Sequence, residues 1–407
     1  MVESEEQLSA GWAKSEIVLP ARYPMAGYRA RKGKSRGTLD PLFVRALILQ
    51  QGKVCVCIIV ADLLLISPAS AARLRKRIAK AIGTPERNVI VAATHTHSGP
   101  LVDTRPFRLS RGNSNARVHQ FIGELDKIFV HAAVAAREKI QPVRASISRA
   151  PIHGLAADRN DPVKNRVQPF ILVRLEARVG SAVFGVLPCH PTVLGAANLR
   201  FSGDLHGEIT RRYERQFDVV LIANGACANV STRFTRRSQT RSQISRFASL
   251  VMSQAKSRKF RECATIEMSI ASRDVQLPVK NFSQYECSNE YSEVAGRLAD
   301  VAREGRQVAK HLSKTSEFRR NNITITVTLL RLGSISFAAL PFELYAETAR
   351  FLWAHARTTA LCYANGYWGY VHILEASRAE YEVISSPFAA CADTLVRKTV
   401  FALATKA

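Results

Sequence analysis

Short apolar runs recur along the chain, and several of them end abruptly in polar residues. The run at 89–93 is apolar and β-branched, and it follows the turn-forming segment 83–86, so it predicts a buried strand. Similar patterns predict further strands at 54–65, 170–176, 183–187, 219–223 and 335–339. Apolar residues at helical spacing predict helices at 70–82 and 118–140. Together these elements predict an α/β fold, a single large domain over 1–407 with mixed β-sheets flanked by helices.

Five of the predicted strands end in polar clusters. Sites in α/β sheets are built from the loops at strand ends, so we expect these clusters to meet in one pocket. The clusters are 94–98, 190–192, 224–231, Glu343 and 365–370.

The cluster at 94–98 contains two histidines, His95 and His97, spaced two residues apart. Residues two apart on a strand share a face, so both rings should point the same way from the strand end. Such a pair suits a metal or hydrolytic centre, although a hydrogen-bonded pair in a turn remains an alternative. Asp62 ends another apolar run, and its pattern fits either a turn cap or a group that supports the histidines.

His95, His190 and Glu343 provide two imidazoles and one carboxylate, a set that suits catalytic zinc with one position open to water. Tyr370 could add a phenolate ligand. Because these residues are dispersed along the chain, their spacing alone identifies the metal weakly.

Composition excludes fewer classes of function than these polar clusters do. A hydrophobic content of 47% with 22% charged residues is globular. The net charge of +25 raises the alternative of a non-catalytic basic protein that binds nucleic acid or anionic lipid. The basic residues are spread along the chain without interleaved aromatics, which argues against nucleic acid and leaves an acidic substrate or an anionic surface. The acidic N-terminus lacks the pattern of a signal peptide, and the apolar runs along the chain are too short to span a membrane. A cytoplasmic location is therefore expected.

The string Ala-Thr-His-Thr-His-Ser-Gly-Pro at 93–100 resembles the signature of the neutral/alkaline (non-lysosomal) ceramidases. Later segments resemble that family in the same order, from about 27 to 382, nearly the whole chain. They are His-Pro-Thr at 190–192, the segment 224–231, Leu-Pro-Phe-Glu at 340–343, Asn-Gly-Tyr-Trp-Gly-Tyr at 365–370 and Tyr-Glu at 381–382.

The resemblance implies a zinc-dependent amidohydrolase that acts on a small-molecule or lipid-like N-acyl substrate, in the manner of sphingolipid hydrolysis. It implies the zinc ligands His95, His190, Glu343 and Tyr370. It also implies that His97 is a proton donor or oxyanion stabiliser, that Arg159 lies in the site, that Tyr381 polarises the scissile carbonyl, and that Ser231 matches a serine proposed as nucleophile.

The sequence departs from the family pattern in several places. Asn229 stands where the family usually has aspartate, and Phe342 and Gly366 replace glycine and aspartate. The interval from Tyr370 to Tyr381 is about one residue short, and no C-terminal immunoglobulin-like domain is expected. The natural substrate could therefore be an amide or ester other than ceramide. A hydrolase that uses Ser231 as nucleophile and His97 as base is a further alternative.

Overall fold

The computed structural model describes residues 7–102, 116–161, 163–263, 266–282, 297–378 and 380–405, with the backbone alone for 297–302. The strands are β1 (Ser9–Glu16), β2 (Phe43–Gln51), β3 (Val54–Ala61), β4 (Val89–Ala93), β5 (Gln141–Asp158), β6 (Asn165–Ala177), β7 (Ser181–Leu187), β8 (Val219–Asn224), β9 (Val230–Ser231), β10 (Arg261–Glu262), β11 (Met268–Pro278), β12 (Asn322–Leu332), β13 (Ile335–Ala339), β14 (Glu343–Leu344), β15 (Thr358–Leu361) and β16 (Tyr370–Val371). The helices are α1 (Pro68–Ile82), α2 (Ala116–Arg137), α3 (Asp204–Tyr213), α4 (Arg241–Lys256), α5 (Arg297–Leu312), α6 (Ala346–Ala356), α7 (Tyr381–Ile384) and α8 (Ala392–Ala404).

Helix α1 shows how local sequence sets these bounds. The Ser67 side chain accepts a hydrogen bond from the Ser70 N–H, and a proline begins the helix, where its missing N–H is not needed. Leu74, Ile78 and Ile82 repeat every four residues and are buried on one face. The helix ends at a glycine with a left-handed backbone. The predicted helix at 70–82 is therefore confirmed, with two more residues at its start.

The largest sheet follows the order β4-β3-β2-β1-β5-β6-β7-β8, and β9 and β10 pair with β5. The pairs β3–β4 and β7–β8 are parallel, and the other neighbours along this path are antiparallel. A second sheet has the order β11-β12-β13-β15, and β14 pairs with β16 in a third. The predicted mixed sheets are therefore present.

The two larger sheets pack face to face between layers of helices. One apolar core, which includes Phe184 and Phe337, lies between the sheets, and those two rings are 5.0 Å apart. Helices α1 to α4 contact the large sheet, and α6 and α8 contact the second sheet. The resulting arrangement is helix, sheet, sheet, helix, and the predicted α/β fold with flanking helices is confirmed. Among the described residues, no helix combines the length and apolarity that crossing a bilayer requires.

The large sheet curls so that its two ends approach each other. Asn224 ends β8, and its side-chain N–H groups donate to the Thr94 carbonyl just after β4 and the Cys189 carbonyl just after β7. The loop after β15 joins the same place, because the Cys362 N–H donates to the Asn224 carbonyl and the Asn365 N–H to the Val91 carbonyl. The strand ends that carry polar clusters are therefore held side by side.

Several strands differ from the prediction, and β3, for example, ends at Ala61 although the apolar run predicted a strand to 65. β1 was not predicted, because its sequence carries Gly, Lys and Ser among its apolar residues. β5 runs from 141 to 158, far beyond the apolar segment 143–148, because it continues through a register shift between Ile152 and Ala156.

Candidate metal centre

The turn after β4 brings the rings of His95 and His97 together. Their Nε2 atoms are 3.3 Å apart. The strand ends before them, and His95 has a φ of 65°, so the two rings do not meet through strand alternation as the sequence suggested. The left-handed backbone at His95 is a strained conformation that the surrounding contacts must hold.

A short loop wraps the backbone of His97. Gly27 has a φ of 106°, and a Cβ atom there would lie 2.6 Å from the His97 Cα. The Tyr28 ring lies 5.0 Å from the His97 ring, and Arg31 Nη2 donates to the His97 carbonyl at 2.7 Å. Glycine is needed at 27 because the backbone passes too close to the histidine for any side chain.

His190 follows β7 and completes a group of three histidines. The three side chains offer ring nitrogens that all lie within 4.8 Å of one another. His95 Nδ1 donates to the Leu64 carbonyl at 2.8 Å, and His190 Nδ1 donates to the Cys227 carbonyl at 2.7 Å. A carbonyl can only accept, so these bonds place the proton on Nδ1 and leave each Nε2 lone pair for another partner. Metal-binding histidines are typically oriented in this way.

Glu343 approaches the histidines from the side of the second sheet. Its Oε2 lies 3.2 Å from His190 Nε2, and its Oε1 lies 3.6 Å from His95 Nε2. Glu343 begins β14, directly after the turn that leaves β13, and its carboxylate is buried. The structure therefore brings together His95, His190 and Glu343 as the sequence predicted.

Two tyrosines hold the Glu343 carboxylate. The Tyr367 hydroxyl donates to Oε1, and the Tyr363 hydroxyl donates to Oε2 at 3.2 Å and also contacts the Cys227 sulfur at 3.2 Å. Both tyrosine rings stack on His95, with centroids 4.0 Å away for Tyr363 and 6.2 Å away for Tyr367. They therefore orient a carboxylate and an imidazole at the same time.

Burial fixes the charge states of this centre. Burial lowers the pKa of His95 to about 4 and that of His97 well below its usual value, so both rings are neutral at pH 7. Burial alone would raise the pKa of Glu343, but His95, His190 and the Tyr367 hydrogen bond hold it well below its usual range. The centre therefore presents the two neutral imidazoles of His95 and His97 and one ionised carboxylate, which suits a divalent cation.

Tyr370 lies beside this group, but its hydroxyl forms no hydrogen bond to the histidines or Glu343 among the described residues. Its backbone pairs with Glu343 across β14 and β16. Its ring packs in a small apolar cluster with Ala228 and Tyr345, and it meets the Tyr381 ring edge-on at 5.8 Å. The proposed role of Tyr370 as a fourth ligand stays a prediction.

Arg159 and Tyr381 form a second group next to Tyr370. Arg159 Nε pairs with Glu382 Oε1 at 2.9 Å, and its guanidinium lies 5.6 Å from the centre of the Tyr381 ring. Arg159 Nη1 also donates to the Ala228 carbonyl at 3.3 Å. The two residues that the sequence placed in the site are therefore neighbours, held by a buried glutamate.

The structure does not join Ser231 to His97. The Ser231 hydroxyl accepts a hydrogen bond from the Arg233 N–H and caps a short helical turn. His97 Nε2 contacts His95, and its Nδ1 has no hydrogen-bond partner within the described residues. The alternative in which His97 is the base for a Ser231 nucleophile lacks the hydrogen bond that such a pair requires.

Asn229 differs from the family pattern, and the structure gives a reason. Its Nδ2 donates to Glu347 Oε2 at 2.9 Å and to Asp158 Oδ2 at 3.4 Å. Its Oδ1 accepts from the Ala346 N–H at 3.0 Å. An aspartate here would place a third carboxylate against two others, so the neighbouring acids favour the amide.

Asp62 serves the fold and not the histidines directly. Its carboxylate accepts from the Phe43 N–H at 3.0 Å and pairs with buried Arg45 at 2.9 Å. It therefore closes the turn at the end of β3, which is the first of the two alternatives that its pattern left open.

Comparisons with known proteins agree with this arrangement. No protein-family model matches the chain. The neutral ceramidase of Mycobacterium tuberculosis (strain ATCC 25618 / H37Rv) is 29% identical over 213 residues, which are 47% of this chain and 33% of that protein. The crystal structure of neutral ceramidase from Pseudomonas aeruginosa aligns with a TM-score of 0.75 at 15% identity, covering 99% of this chain and 75% of that one. The chain is therefore similar to neutral ceramidases in sequence over part of its length and in fold over nearly all of it.

A second solved structure, described as ceramidase complexed with C2, aligns with a TM-score of 0.70 at 14% identity and covers 99% of this chain and 76% of that one. The sequence match spans about a third of the length of the Mycobacterium tuberculosis ceramidase. The predicted resemblance to neutral ceramidases is confirmed, and at these identities the solved structures establish the fold alone.

Sequence reasoning missed the residues that orient the ceramidase-like centre. Tyr363 and Tyr367 lie within or just before the polar cluster at 365–370, where only Tyr370 was singled out. Arg31 and Gly27 lie in a basic loop that carried no metal-ligand signal. The recurrence of tyrosine at 363, 367 and 370, around a predicted polar cluster, was the available signal for Tyr363 and Tyr367, whereas no local pattern indicated Arg31 and Gly27.

Proposed function

We propose that this chain is a zinc-dependent hydrolase that cleaves an acyl amide bond, as a neutral ceramidase does. The observation that carries the proposal is the convergence of His95, His97, His190 and Glu343 on one buried point, with two of the imidazoles fixed through Nδ1. The sequence match to a neutral ceramidase supports amide hydrolysis.

The spacing of the donor atoms fits zinc. Two ligands about 2.0–2.1 Å from a tetrahedral zinc ion lie about 3.3–3.4 Å apart. The observed separations between proposed ligands are 3.2 Å for His190 Nε2 and Glu343 Oε2 and 3.6 Å for His95 Nε2 and Glu343 Oε1. Imidazole and carboxylate donors also suit zinc better than the cations that prefer oxygen alone. We propose His95, His190 and Glu343 as zinc ligands, with Tyr370 as the fourth ligand.

When bound, such an ion would supply Lewis acidity that activates water and polarises a carbonyl group. His97 lies against this point, and we assign it to take up the proton that the attacking water loses and to deliver it to the leaving amine, because its Nδ1 is buried and has no hydrogen-bond partner among the described residues. We assign Tyr381 to the carbonyl oxygen. Burial raises the pKa of Tyr381 above its usual value, so the phenol keeps its proton and can donate it in a hydrogen bond.

Arg159 positions Tyr381 and does not act as an acid. The nearby Glu382 raises the Arg159 pKa despite its burial, so the guanidinium stays charged under the tyrosine ring. The fixed positive charge also favours the negative charge that develops on a carbonyl oxygen during attack. Ceramide is one member of the proposed substrate class. The cytoplasmic location stays a prediction.

Metal content tests the proposal first. We would measure zinc by elemental analysis in wild type, in His95→Ala and in His355→Ala, each purified without added metal. His355 is an exposed histidine on α6 and serves as the matched control. We expect about one zinc per chain in wild type and in the control, and none in His95→Ala.

Fatty acid release from N-acyl substrates, with and without a chelator, then tests the reaction. Loss of activity with the chelator, and its return on addition of zinc, would support the mechanism. A wild type that neither contains nor takes up zinc would overturn it. Chelator-resistant cleavage that Ser231→Ala abolishes would instead support the serine alternative.

A further inference from the structure

Three arginines are buried among the described residues, and one of them differs from the others in its partners. Arg45 pairs with Asp62 and Glu214, and Arg166 pairs with Asp158 and Glu347. Arg31 is only 5% exposed and forms no ion pair with any carboxylate in the described part of the chain. A buried cation without an anion costs free energy, so this charge needs an explanation.

All three donor groups of Arg31 bind backbone carbonyls. Nη1 donates to Ala26 at 2.6 Å, Nη2 to His97 at 2.7 Å and Nε to Asn198 at 3.1 Å. These bonds satisfy the hydrogen-bonding groups but leave the positive charge uncompensated. Burial lowers the Arg31 pKa to about 10, which leaves the guanidinium charged at neutral pH.

Arg236 is a second cation on the same side of the centre. Its Nη1 donates to the carbonyl of Thr192, two residues after His190, and it also forms no ion pair with a described carboxylate. Its Nε and Nη2 groups make no hydrogen bond to the described residues. Arg236 is half-buried, so these two donors form a planar fork that can bind a carboxylate or phosphate oxygen pair.

Tyr28 connects the two arginines. The Arg31 guanidinium lies 5.1 Å from the centre of the Tyr28 ring, and that ring lies 5.0 Å from the His97 ring. The Tyr28 hydroxyl donates to the Leu194 carbonyl at 2.7 Å, beside the segment that Arg236 binds. Tyr28 and Arg31 therefore lie next to His97, and Arg236 binds the chain two residues from the Leu194 carbonyl that Tyr28 contacts. We term these three residues the arginine wall.

We propose that the arginine wall binds an anionic group of the substrate, so that the enzyme prefers acyl amides with a carboxylate or phosphate near the scissile bond over neutral amides. Arg236 supplies the direct hydrogen bonds, and Arg31 supplies the uncompensated charge behind them. This inference rests on the proposed hydrolase function and specifies its substrate class.

The test compares matched substrates that differ in charge. N-lauroylglycine carries a carboxylate, N-lauroylglycinamide is its neutral counterpart, and N-lauroyl phosphoethanolamine carries a phosphate. We expect wild type to cleave at least one of the two anionic substrates with a kcat/KM at least roughly tenfold above that of the neutral amide. Whichever of the two anionic substrates has the higher kcat/KM shows whether the site prefers a carboxylate or a phosphate.

Arg236→Gln should lower kcat/KM for the anionic substrates, mainly through a higher KM, so that the ratio of anionic to neutral kcat/KM falls to about one. Arg236→Lys should keep part of the preference, because it keeps the charge without the planar fork. Lys53→Gln, a change of the same charge in the exposed turn between β2 and β3, should leave all three substrates unaffected. Equal kcat/KM for charged and neutral substrates in wild type would overturn the proposal.

Binding to metal-free protein separates this inference from the proposed function. We would measure the Kd of N-lauroylglycine, N-lauroyl phosphoethanolamine and N-lauroylglycinamide by calorimetry after chelation, for wild type and Arg236→Gln. Tighter binding of an anionic ligand that Arg236→Gln abolishes would support the arginine wall even if no substrate is cleaved. Equal Kd values for all three ligands would overturn it even in an active hydrolase.

Discussion

The Tyr367 hydroxyl should set the metal affinity of this centre. It donates to the buried, ionised Glu343 carboxylate, and its removal in Tyr367→Phe leaves that oxygen without this donor. A hydrogen bond to a charged group contributes about 1.5–3 kcal/mol, which corresponds to roughly 10- to 150-fold in an equilibrium constant. Loss of a group that orients a metal ligand typically weakens metal binding about 10- to 100-fold. We therefore expect zinc to bind Tyr367→Phe about 10- to 100-fold more weakly than wild type.

Two other tyrosine variants make this expectation specific. Tyr363→Phe should have a smaller effect, because its hydroxyl lies 3.2 Å from the carboxylate and also contacts a cysteine sulfur. Tyr23→Phe is the matched control, since Tyr23 is equally buried but its hydroxyl donates to the Leu101 carbonyl. It should lose about 1 kcal/mol of stability and keep its zinc affinity.

Zinc affinity would be measured by competition with a chromophoric chelator, and stability by urea unfolding of the metal-free proteins. The reasoning about Glu343 is wrong if Tyr367→Phe binds zinc as tightly as wild type while Glu343→Ala does not bind it. It is also wrong if Tyr23→Phe weakens zinc binding as much as Tyr367→Phe, because the effect would then be general loosening of the fold.

Three further variants test other features by urea unfolding. Gly27→Ala should lower the free energy of unfolding by about 1–3 kcal/mol more than Gly33→Ala does. Both glycines have a φ near +100°, but only Gly27 packs against the His97 backbone. Equal losses of stability in the two variants would show that this close approach does not matter. Burial lowers the pKa of Lys280 from 10.5 to about 7. Between pH 7 and pH 10.5 the unfolded chain therefore binds more protons than the folded protein. The free energy of unfolding should rise with pH in this range by up to about 1.4 kcal/mol per pH unit. Lys280→Met should abolish that rise, and an unchanged pH profile would contradict the assigned pKa. Asn229→Asp should destabilise the protein by about 1–3 kcal/mol at pH 8 and by less at pH 5, where the new carboxyl can be protonated. Equal losses of stability at both pH values would exclude charge repulsion as the cause.

The sequence predicted the positions of several strands because their apolar runs are continuous and their ends are polar. β3, β4, β7, β8 and β13 all lie where such runs predicted them. β1 and the second half of β5 could not be predicted, because β1 carries Gly, Lys and Ser among its apolar residues and the second half of β5 carries Arg, Pro, His and Gly. Pairing with neighbouring strands overrides such weak local patterns.

The candidate site, like the fold, could be predicted from the sequence only in part. His95, His190 and Glu343 could be found because each follows an apolar run, and the structure places them together. The turn geometry of His95 could not be found, because a left-handed backbone at a non-glycine residue depends on its surroundings. The role of Arg31 was equally hidden, since its partners are backbone carbonyls that leave no mark in the sequence.

The origin of the proposed ligands in two different sheets has a consequence for how the protein would mature. His95 and His190 follow strands of the large sheet, whereas Glu343 follows a strand of the second sheet. During synthesis the two histidines emerge long before the carboxylate, so a nascent chain cannot offer the full ligand set until residue 343 has left the ribosome. A metal ion captured at that stage would join the two sheets as a late cross-link, and newly made chains would gain their resistance to unfolding only then.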